Sequence, residues 1–390
     1  MKNIPELTGV RGIAALWVFL SHIQKLAAVA LHSDGVARSS FFFLGFHAVD
    51  LFFFLGFHAV DLFFVLSGFI LMHAHEKQFE IINRSAIEDF FIARFFRIYP
   101  LNTFVLFCLL PIVILLPGYV SFERSYTDFA FSYKANSFSL LGFIQTLLLV
   151  QTWTFAKLGT WNIVSWTLSA EVLGYLMFPT LAYLASKIKS ATTNLFLAVT
   201  SLTILTFLLI LGHHANNNPT GVFGAVRMFF CFCAGITINR ACGILPDDIA
   251  KVTSYTNLAA VCFLIATIFI PVLGVLEVFS FSALIFGLYY QKGEICRFLS
   301  SALVLFMGRI SFSFYIIHYI VIQLIYWATL SWLPNQNLFM GIVLLTVVTI
   351  FCFLVAFLLY TFVERPSHRI GREILKRVKN RRHALGRVVS

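Results

Sequence analysis

The stretch Arg11-Gly-Ile-Ala-Ala-Leu-Trp-Val-Phe-Leu-Ser-His22 is apolar along most of its length, with a guanidinium at one end and an imidazole at the other. In a helix, Arg11 and His22 would lie about 16 Å apart and, after about three turns, on the same face. An ionisable side chain inside a membrane helix is costly, so His22 is a candidate functional residue. The alternative is an arginine at the membrane surface and a histidine that is hydrogen-bonded in the core.

The composition of the whole chain is that of a membrane protein. Of its 390 residues, 59% are hydrophobic and only 12% are charged. Several apolar runs approach the length that spans a bilayer as a helix. The net charge of +11 gathers in short loops and in the C-terminal tail, which is typical of cytoplasmic loops and not of a nucleic-acid surface. We therefore expect an all-α, polytopic bundle surrounded by membrane lipids, with no nucleic-acid partner.

The cysteines argue against a disulfide framework or a metal centre. They form no CxxC pair and lie mostly within or beside apolar segments. We interpret them as free packing thiols and expect no metal.

Apolar runs predict about ten membrane-spanning helices, at roughly 8–29, 56–75, 99–118, 164–186, 194–212, 222–240, 253–272, 274–291, 311–330 and 338–362. A shorter apolar piece at 140–150 is interpreted as re-entrant or interfacial. With this count, most loop Lys and Arg residues fall on the N-terminal side, so both termini are predicted to be cytoplasmic. Residues 1–365 would form the membrane domain and 366–390 a basic cytoplasmic tail.

An internal duplication precedes the second predicted span. Residues 41–51 are repeated without change as residues 52–62, and the second copy runs on into Phe63-Phe-Val-Leu-Ser-Gly-Phe69. The repeat covers about three helical turns, so the insertion preserves the facing of the residues after it. We expect Asp61 to lie in the span and Asp50 to be displaced toward the outer loop.

Two arginines stand three residues apart in Arg94-Phe-Phe-Arg97-Ile-Tyr-Pro100. This spacing places them on one helix face, and a guanidinium pair suits phosphate because each group presents a planar fork of donors. The alternative is a pair that only extends to the membrane surface.

A second polar group comes after an outer loop, at Trp166, Ser169, Glu171 and Tyr175. Glu171 falls within the first two turns of a predicted span, with Tyr175 one turn deeper on the same face. A tryptophan is ordinary at the membrane interface, whereas a carboxylate at this depth is not.

Arg227, Glu277 and His318 also fall inside predicted spans. Each could be a polar contact between helices, or part of a site. Their depths suggest two layers. We place His22, Asp61, Glu171, Arg227 and Glu277 in the outer half, and Arg11, Arg94 and Arg97 at the inner edge.

Taken together, the motifs resemble the acyltransferase 3 family of integral-membrane enzymes that acylate extracytoplasmic glycans. The likeness runs from about residue 5 to residue 370, in family order. It rests on Arg11 and His22, Val60-Asp-Leu-Phe-Phe-Val-Leu-Ser-Gly68, Arg94-x-x-Arg97-Ile-x-Pro100, Trp166-x-Leu-Ser-x-Glu171, Gly308-x-Ile-Ser-x-Ser-x-Tyr315-x-x-His318 and Val363-Glu-Arg-Pro366.

The resemblance implies a multi-pass O-acetyltransferase-like enzyme of the cell (inner or plasma) membrane. It would take an acyl group from cytoplasmic acyl-CoA, with acetyl-CoA the expected donor. The acceptor would be a carbohydrate hydroxyl, such as one of a polysaccharide or a lipopolysaccharide. From residue type and position in the spans, we expect substrate-binding or structural polar roles for six further residues: Trp166, Ser169, Tyr175, Arg227, Glu277 and His318.

The resemblance further implies that His22 is catalytic and that Arg11, Arg94 and Arg97 hold the phosphates of coenzyme A. A general base at His22 would need a carboxylate to orient it, for which Asp61 and Glu171 are the candidates. A covalent acyl-histidine is an equally open mechanism.

A transporter or another non-enzymatic membrane protein is the rival interpretation, because buried charges are natural there too. Transporters often show paired repeats with interrupted helices, and this sequence shows no such symmetry. Acyl transfer or hydrolysis of acyl-CoA by the purified protein would separate the two classes.

Overall fold

A computed structural model describes residues 3–31, 59–121, 138–153, 161–214, 221–269, 276–290, 293–332 and 338–389. Within these ranges the regular structure is helical, which confirms the predicted all-α class. Asp50 and the first copy of the duplication lie outside the described residues.

The helices are numbered in chain order. They are α1 (Pro5–Leu31), α2 (Ala59–His75), α3 (Arg84–Leu115), α4 (Leu140–Leu148), α5 (Trp166–Lys187), α6 (Ala191–His214), α7 (Val222–Ile244), α8 (Ala250–Phe269), α9 (Glu277–Leu288), α10 (Glu294–Leu299), α11 (Ala302–Trp332), α12 (Leu338–Leu359) and α13 (Arg365–Val389).

Seven helical segments of the described residues are long and apolar enough to cross a membrane. They are Ala59–Phe79, Arg84–Leu115, Ile163–Lys187, Ala191–Leu211, Val222–Ile244, Ala302–Thr329 and Phe339–Arg382. The apolar parts of α8 and α9 are shorter, and α1 carries Glu6 and Arg11 in its first half. The prediction of ten spans with two cytoplasmic ends therefore stays a prediction.

The apolar piece at 140–150 forms only α4, a helix of 9 residues that is too short to span a bilayer. Hydrogen bonds hold Thr152 and Trp153, which follow α4, against α5. The Ser169 hydroxyl accepts from the Thr152 amide at 3.1 Å, and the Trp153 indole donates to the Ser169 carbonyl at 3.0 Å. Ser169 therefore has a structural role in seating this segment.

Several helices begin or end outside the predicted spans. Helix α3 begins at Arg84, because the Asn83 side chain caps it by accepting from the Ser85 amide. After α12, one π turn at Tyr360–Glu364 continues directly into α13. The basic tail is thus helical and continuous with the last apolar helix.

Helix α13 runs antiparallel along the first half of α3. Gly371 packs against Phe96, and farther along, Arg382 donates to Glu88 at 2.7 Å and to Asp89 at 2.8 Å. These contacts hold the tail beside the helix that carries Arg94.

Two pairs of helices approach each other closely because glycines lie at the crossings. A Cβ on Gly12 of α1 would lie 2.6 Å from the backbone nitrogen of Gly308 in α11. Added Cβ atoms on Gly68 of α2 and Gly235 of α7 would likewise overlap the backbone of the opposite helix. Such contacts let membrane helices pack backbone to backbone. They bring the polar side chains of α1 and α11, and of α2 and α7, within bonding distance.

Candidate active site

A cavity of about 320 Å³ lies among α1, α2, α3, α5 and α11. Much of its wall is apolar, with side chains such as Phe63, Phe64 and Ile98. The polar part of its lining comprises Arg11, Ser67, Arg94, Arg97, Thr167, Glu171, Tyr175, Ser311 and Tyr315. An apolar cavity with a few convergent polar groups is the usual form of a small-molecule site.

The three predicted phosphate-binding arginines line this one cavity. The guanidinium of Arg94 lies 5.7 Å from the ring centroids of both Phe90 and Tyr175. That of Arg97 lies 5.6 Å from the ring of Phe312. Packing against aromatic faces restrains these cations without consuming all of their hydrogen-bond donors. The structure places Arg11, Arg94 and Arg97 on one cavity, and their phosphate-binding role stays a prediction.

Glu364 is a functional candidate that was given no role from the sequence. Its side chain is buried at the end of the π turn, where it accepts from the Ser313 hydroxyl at 2.6 Å. Its other oxygen lies 3.6 Å from Nη1 of Arg97. The carboxylate therefore positions Arg97. The signal in the sequence was the motif Val363-Glu-Arg-Pro366. The π turn itself leaves no trace in the hydropathy, although π turns often occur at functional sites.

Glu171 lies on the cavity wall with its expected neighbour. One carboxylate oxygen accepts from the Tyr175 hydroxyl at 2.7 Å and from the Ser67 hydroxyl at 2.8 Å. The same cavity holds the arginines. The sequence placed Glu171 in the outer half of the membrane and the three arginines at the inner edge. In the structure all four line one cavity, so they lie closer together than predicted.

Asp61 and Arg227 form a fully buried ion pair between α2 and α7. The Arg227 Nε donates to one Asp61 oxygen at 3.1 Å, and Nη2 donates to the other at 2.9 Å. The guanidinium also lies 6.0 Å from the ring of Trp166. Three predicted site residues therefore meet, beside the cavity wall that Val60 and Phe64 form.

His22 lies beside His318, across the α1–α11 contact. The Nδ1 atom of His22 is 2.9 Å from the Val18 carbonyl oxygen and 3.1 Å from Nε2 of His318. Both histidines were predicted site residues, but their pairing was not predicted. Asp61 or Glu171 was expected to orient His22, and that role stays a prediction. In the structure Asp61 accepts from Arg227, and Glu171 accepts from Ser67 and Tyr175.

Tyr315 connects the cavity with the histidine pair. It lines the cavity, and its ring centroid is 5.7 Å from that of His318 and 5.8 Å from that of Phe63. Glu277, by contrast, is the buried first residue of α9 and is not part of the cavity lining.

The cysteines are free, as predicted. Within the described ranges, no group of three or more His, Cys, Asp or Glu side chains is placed to hold a metal ion.

Comparison with known proteins gives two matches. The model of a family described as "Acyltransferase domain" matches residues 4–361, nearly the whole chain. A protein named acyltransferase MdmB, from Streptomyces mycarofaciens, is 29% identical over 188 residues, which cover 48% of this chain and 41% of that relative. The match thus spans less than half the length of the curated relative. No solved structure matches the chain.

Proposed function

Because this chain belongs to the acyltransferase 3 family, we propose that it is a membrane enzyme that transfers an acyl group from cytoplasmic acyl-CoA to a carbohydrate hydroxyl on the other side of the membrane. Acetyl is the group we expect, and the plasma membrane is the location we expect. The carbohydrate acceptor is supported by the motifs shared with a family that acylates extracytoplasmic glycans.

The observation that carries the proposal is the convergence of Arg11, Arg94 and Arg97 on one largely apolar cavity. Guanidinium groups are well suited to the phosphates of coenzyme A, and an apolar wall is suited to the arm that carries the thioester. Glu364 would hold Arg97 in place for this contact, through the 3.6 Å pairing. Glu171, which lines the same wall with Tyr175, would offer hydrogen-bond partners to the amides of the arm.

The donor can reach His22 without the nucleotide crossing the membrane. The helical rise places His22 about 16 Å from Arg11 along α1. An extended pantetheine arm covers such a distance. In this arrangement the phosphates stay with the arginines while the thioester reaches the region of His22 and His318.

His22 would act as general base. An alcohol hydroxyl is too weakly acidic to attack a thioester readily at neutral pH, so a positioned base accelerates the reaction. His22 takes the hydroxyl proton as the acceptor oxygen bonds to the thioester carbonyl carbon. The C–S bond then breaks, and His22 returns the proton to the departing sulfur. The products are the O-acyl sugar and free coenzyme A.

The test uses the purified protein in detergent, with acetyl-CoA and a surface glycan, and measures the release of free thiol. His22→Ala should lower transfer by about 10²–10⁴-fold, the usual contribution of a general base. His73→Ala is the matched control, since His73 lies on α2 and packs on Phe69 and Tyr289. Mass spectrometry of the glycan identifies the acyl group and its position. A His22→Ala protein that transfers at the wild-type rate would remove His22 from the mechanism, and an absence of any acyl transfer by the wild type would overturn the function itself.

A further inference from the structure

A continuous hydrogen-bonded chain links the α11 backbone to His22. Nδ1 of His318 is 3.2 Å from the Phe314 carbonyl oxygen, and Nε2 of His318 is 3.1 Å from Nδ1 of His22. Nδ1 of His22 is in turn 2.9 Å from the Val18 carbonyl oxygen. The chain therefore contains two imidazoles and two backbone carbonyls.

The carbonyls fix where the protons lie, because a carbonyl oxygen can only accept. The nitrogen of His318 that faces Phe314 must carry a proton, so its Nε2 is the acceptor. Nδ1 of His22 must also carry a proton, which it shares between Val18 and His318. In the neutral ring this makes Nε2 of His22 the unprotonated nitrogen, the one that can act as a base.

We propose that His318 is the positioning residue of the transfer reaction: it takes the place that a carboxylate holds in a hydrolase triad and keeps His22 in the tautomer whose Nε2 is basic. The inference rests on the proposed function, which makes His22 the general base. In the transfer step Nε2 of His22 gains the hydroxyl proton, while its Nδ1–H keeps donating to His318. The proton that leaves with the sulfur comes from Nε2, so no proton is lost from the pair. His318 thus supports the transient imidazolium without reacting.

The packing around His318 favours this role. Its side chain is fully buried, and the rings of Phe314 and Phe19 lie 6.1 Å and 6.3 Å from it. These two rings restrain the orientation of the imidazole, and the close α1–α11 contact at Gly12 and Gly308 brings it near His22.

A neutral acceptor is also well suited to this position. A buried carboxylate beside His22 would bring a desolvation cost of several kcal/mol, which a second imidazole avoids. The alternatives predicted from the sequence are already engaged, since Asp61 pairs with Arg227 and Glu171 accepts from Ser67 and Tyr175.

Three substitutions at His318 test the inference. Gln can place an oxygen near the position of the histidine Nε2, Asn reaches only to the position of Nδ1, and Phe keeps the ring but has no acceptor. We expect His318→Phe and His318→Asn to lower kcat by up to about 10⁴-fold, the loss that follows removal of the orienting residue of a triad. The KM for acetyl-CoA should be nearly unchanged, because the proposed phosphate contacts are made by the arginines and His318 does not line the cavity. His318→Gln should keep most of the activity that the other two lose.

The control is Gln323→Leu, a change at another buried polar side chain of α11. It should transfer at close to the wild-type rate. Thermal unfolding in detergent shows which variants are folded, and if the Phe variant is not, the comparison of Gln with Asn still decides. Wild-type kcat in the Asn and Phe variants, or an equal loss in folded Gln and Asn variants, would overturn the role of His318. An active His22→Ala protein would instead overturn the general-base mechanism on which the inference rests.

Discussion

Replacing Asp61 by Asn would leave the guanidinium of Arg227 buried without its counter-ion. Both side chains of the pair are completely shielded, and two hydrogen bonds join them at 2.9 and 3.1 Å. Removing one partner of such a pair costs about 3–5 kcal/mol, because a charge is left in a medium of low polarity. We expect that loss in the free energy of unfolding for Asp61→Asn and a similar loss for Arg227→Gln.

The double variant separates a structural from a catalytic role for Asp61. With both charges removed, Asn and Gln can still bond to each other, so most of the stability should return and the cycle should show strong coupling. Stability is measured by unfolding in mixed micelles, and acyl transfer is measured on the folded fraction. If Asp61 only joins α2 to α7, the double variant should regain transfer as well. If Asp61 orients His22, the double variant should fold and remain inactive.

The control for this cycle is the exposed pair of Glu294 and Arg297, whose side chains are 80% and 76% exposed. Glu294→Gln should change the stability by only about 0–1 kcal/mol, as is usual for surface ion pairs. Losses at Asp61 and Arg227 that simply add in the double variant would refute the reasoning, since independent losses are incompatible with a direct buried pair.

Two further predictions concern the donor site and the duplication. Arg97→Ala should raise the KM for acetyl-CoA by about 10–100-fold, because a charge-assisted contact to phosphate is worth about 1.5–3 kcal/mol. The control is Arg84→Ala, at the exposed start of α3, which should leave this KM unchanged. An unchanged affinity for acetyl-CoA in Arg97→Ala would mean that the residue only extends to the membrane surface. Deleting residues 41–51 should leave an active enzyme, because removing about three helical turns hardly changes the facing of α2. Asp50→Asn should be nearly silent in the same transfer assay, since α2 begins at Ala59 within the second copy. An essential Asp50 would show that the first copy enters the membrane instead.

Hydropathy predicted most of the helices because the bilayer imposes a minimum apolar length. It placed the cores of α5, α6 and α7 correctly and identified α4 as too short to span. It missed the first turns of α3, whose helix is set by the Asn83 cap. It also missed that the tail is helical, since α13 is polar and is held by contacts such as Arg382 with Asp89. Those contacts depend on tertiary structure and leave no apolar pattern.

The residues that carry charge inside the spans were easier to predict than the contacts they make with each other. An ionisable residue inside a span is conspicuous in any sequence, and this singled out Asp61, Arg227, His22 and His318. Which of them meet is decided by which helices cross and at what depth. That depends on glycine contacts such as Gly12 with Gly308, which bring α1 onto α11. Periodicity within one helix carries no information about its neighbour, so the contact between His22 and His318 was not predicted.

Tyr315 contacts both parts of the proposed site, the arginine-lined cavity and the histidine pair. It lines the cavity that holds the arginines, and its ring also contacts His318, which bonds His22. The cavity and the proposed base are therefore linked through the ring of Tyr315, which lines the cavity and contacts the partner of His22. In the proposed reaction, a thioester bound in this cavity would therefore approach the base on the side of Tyr315.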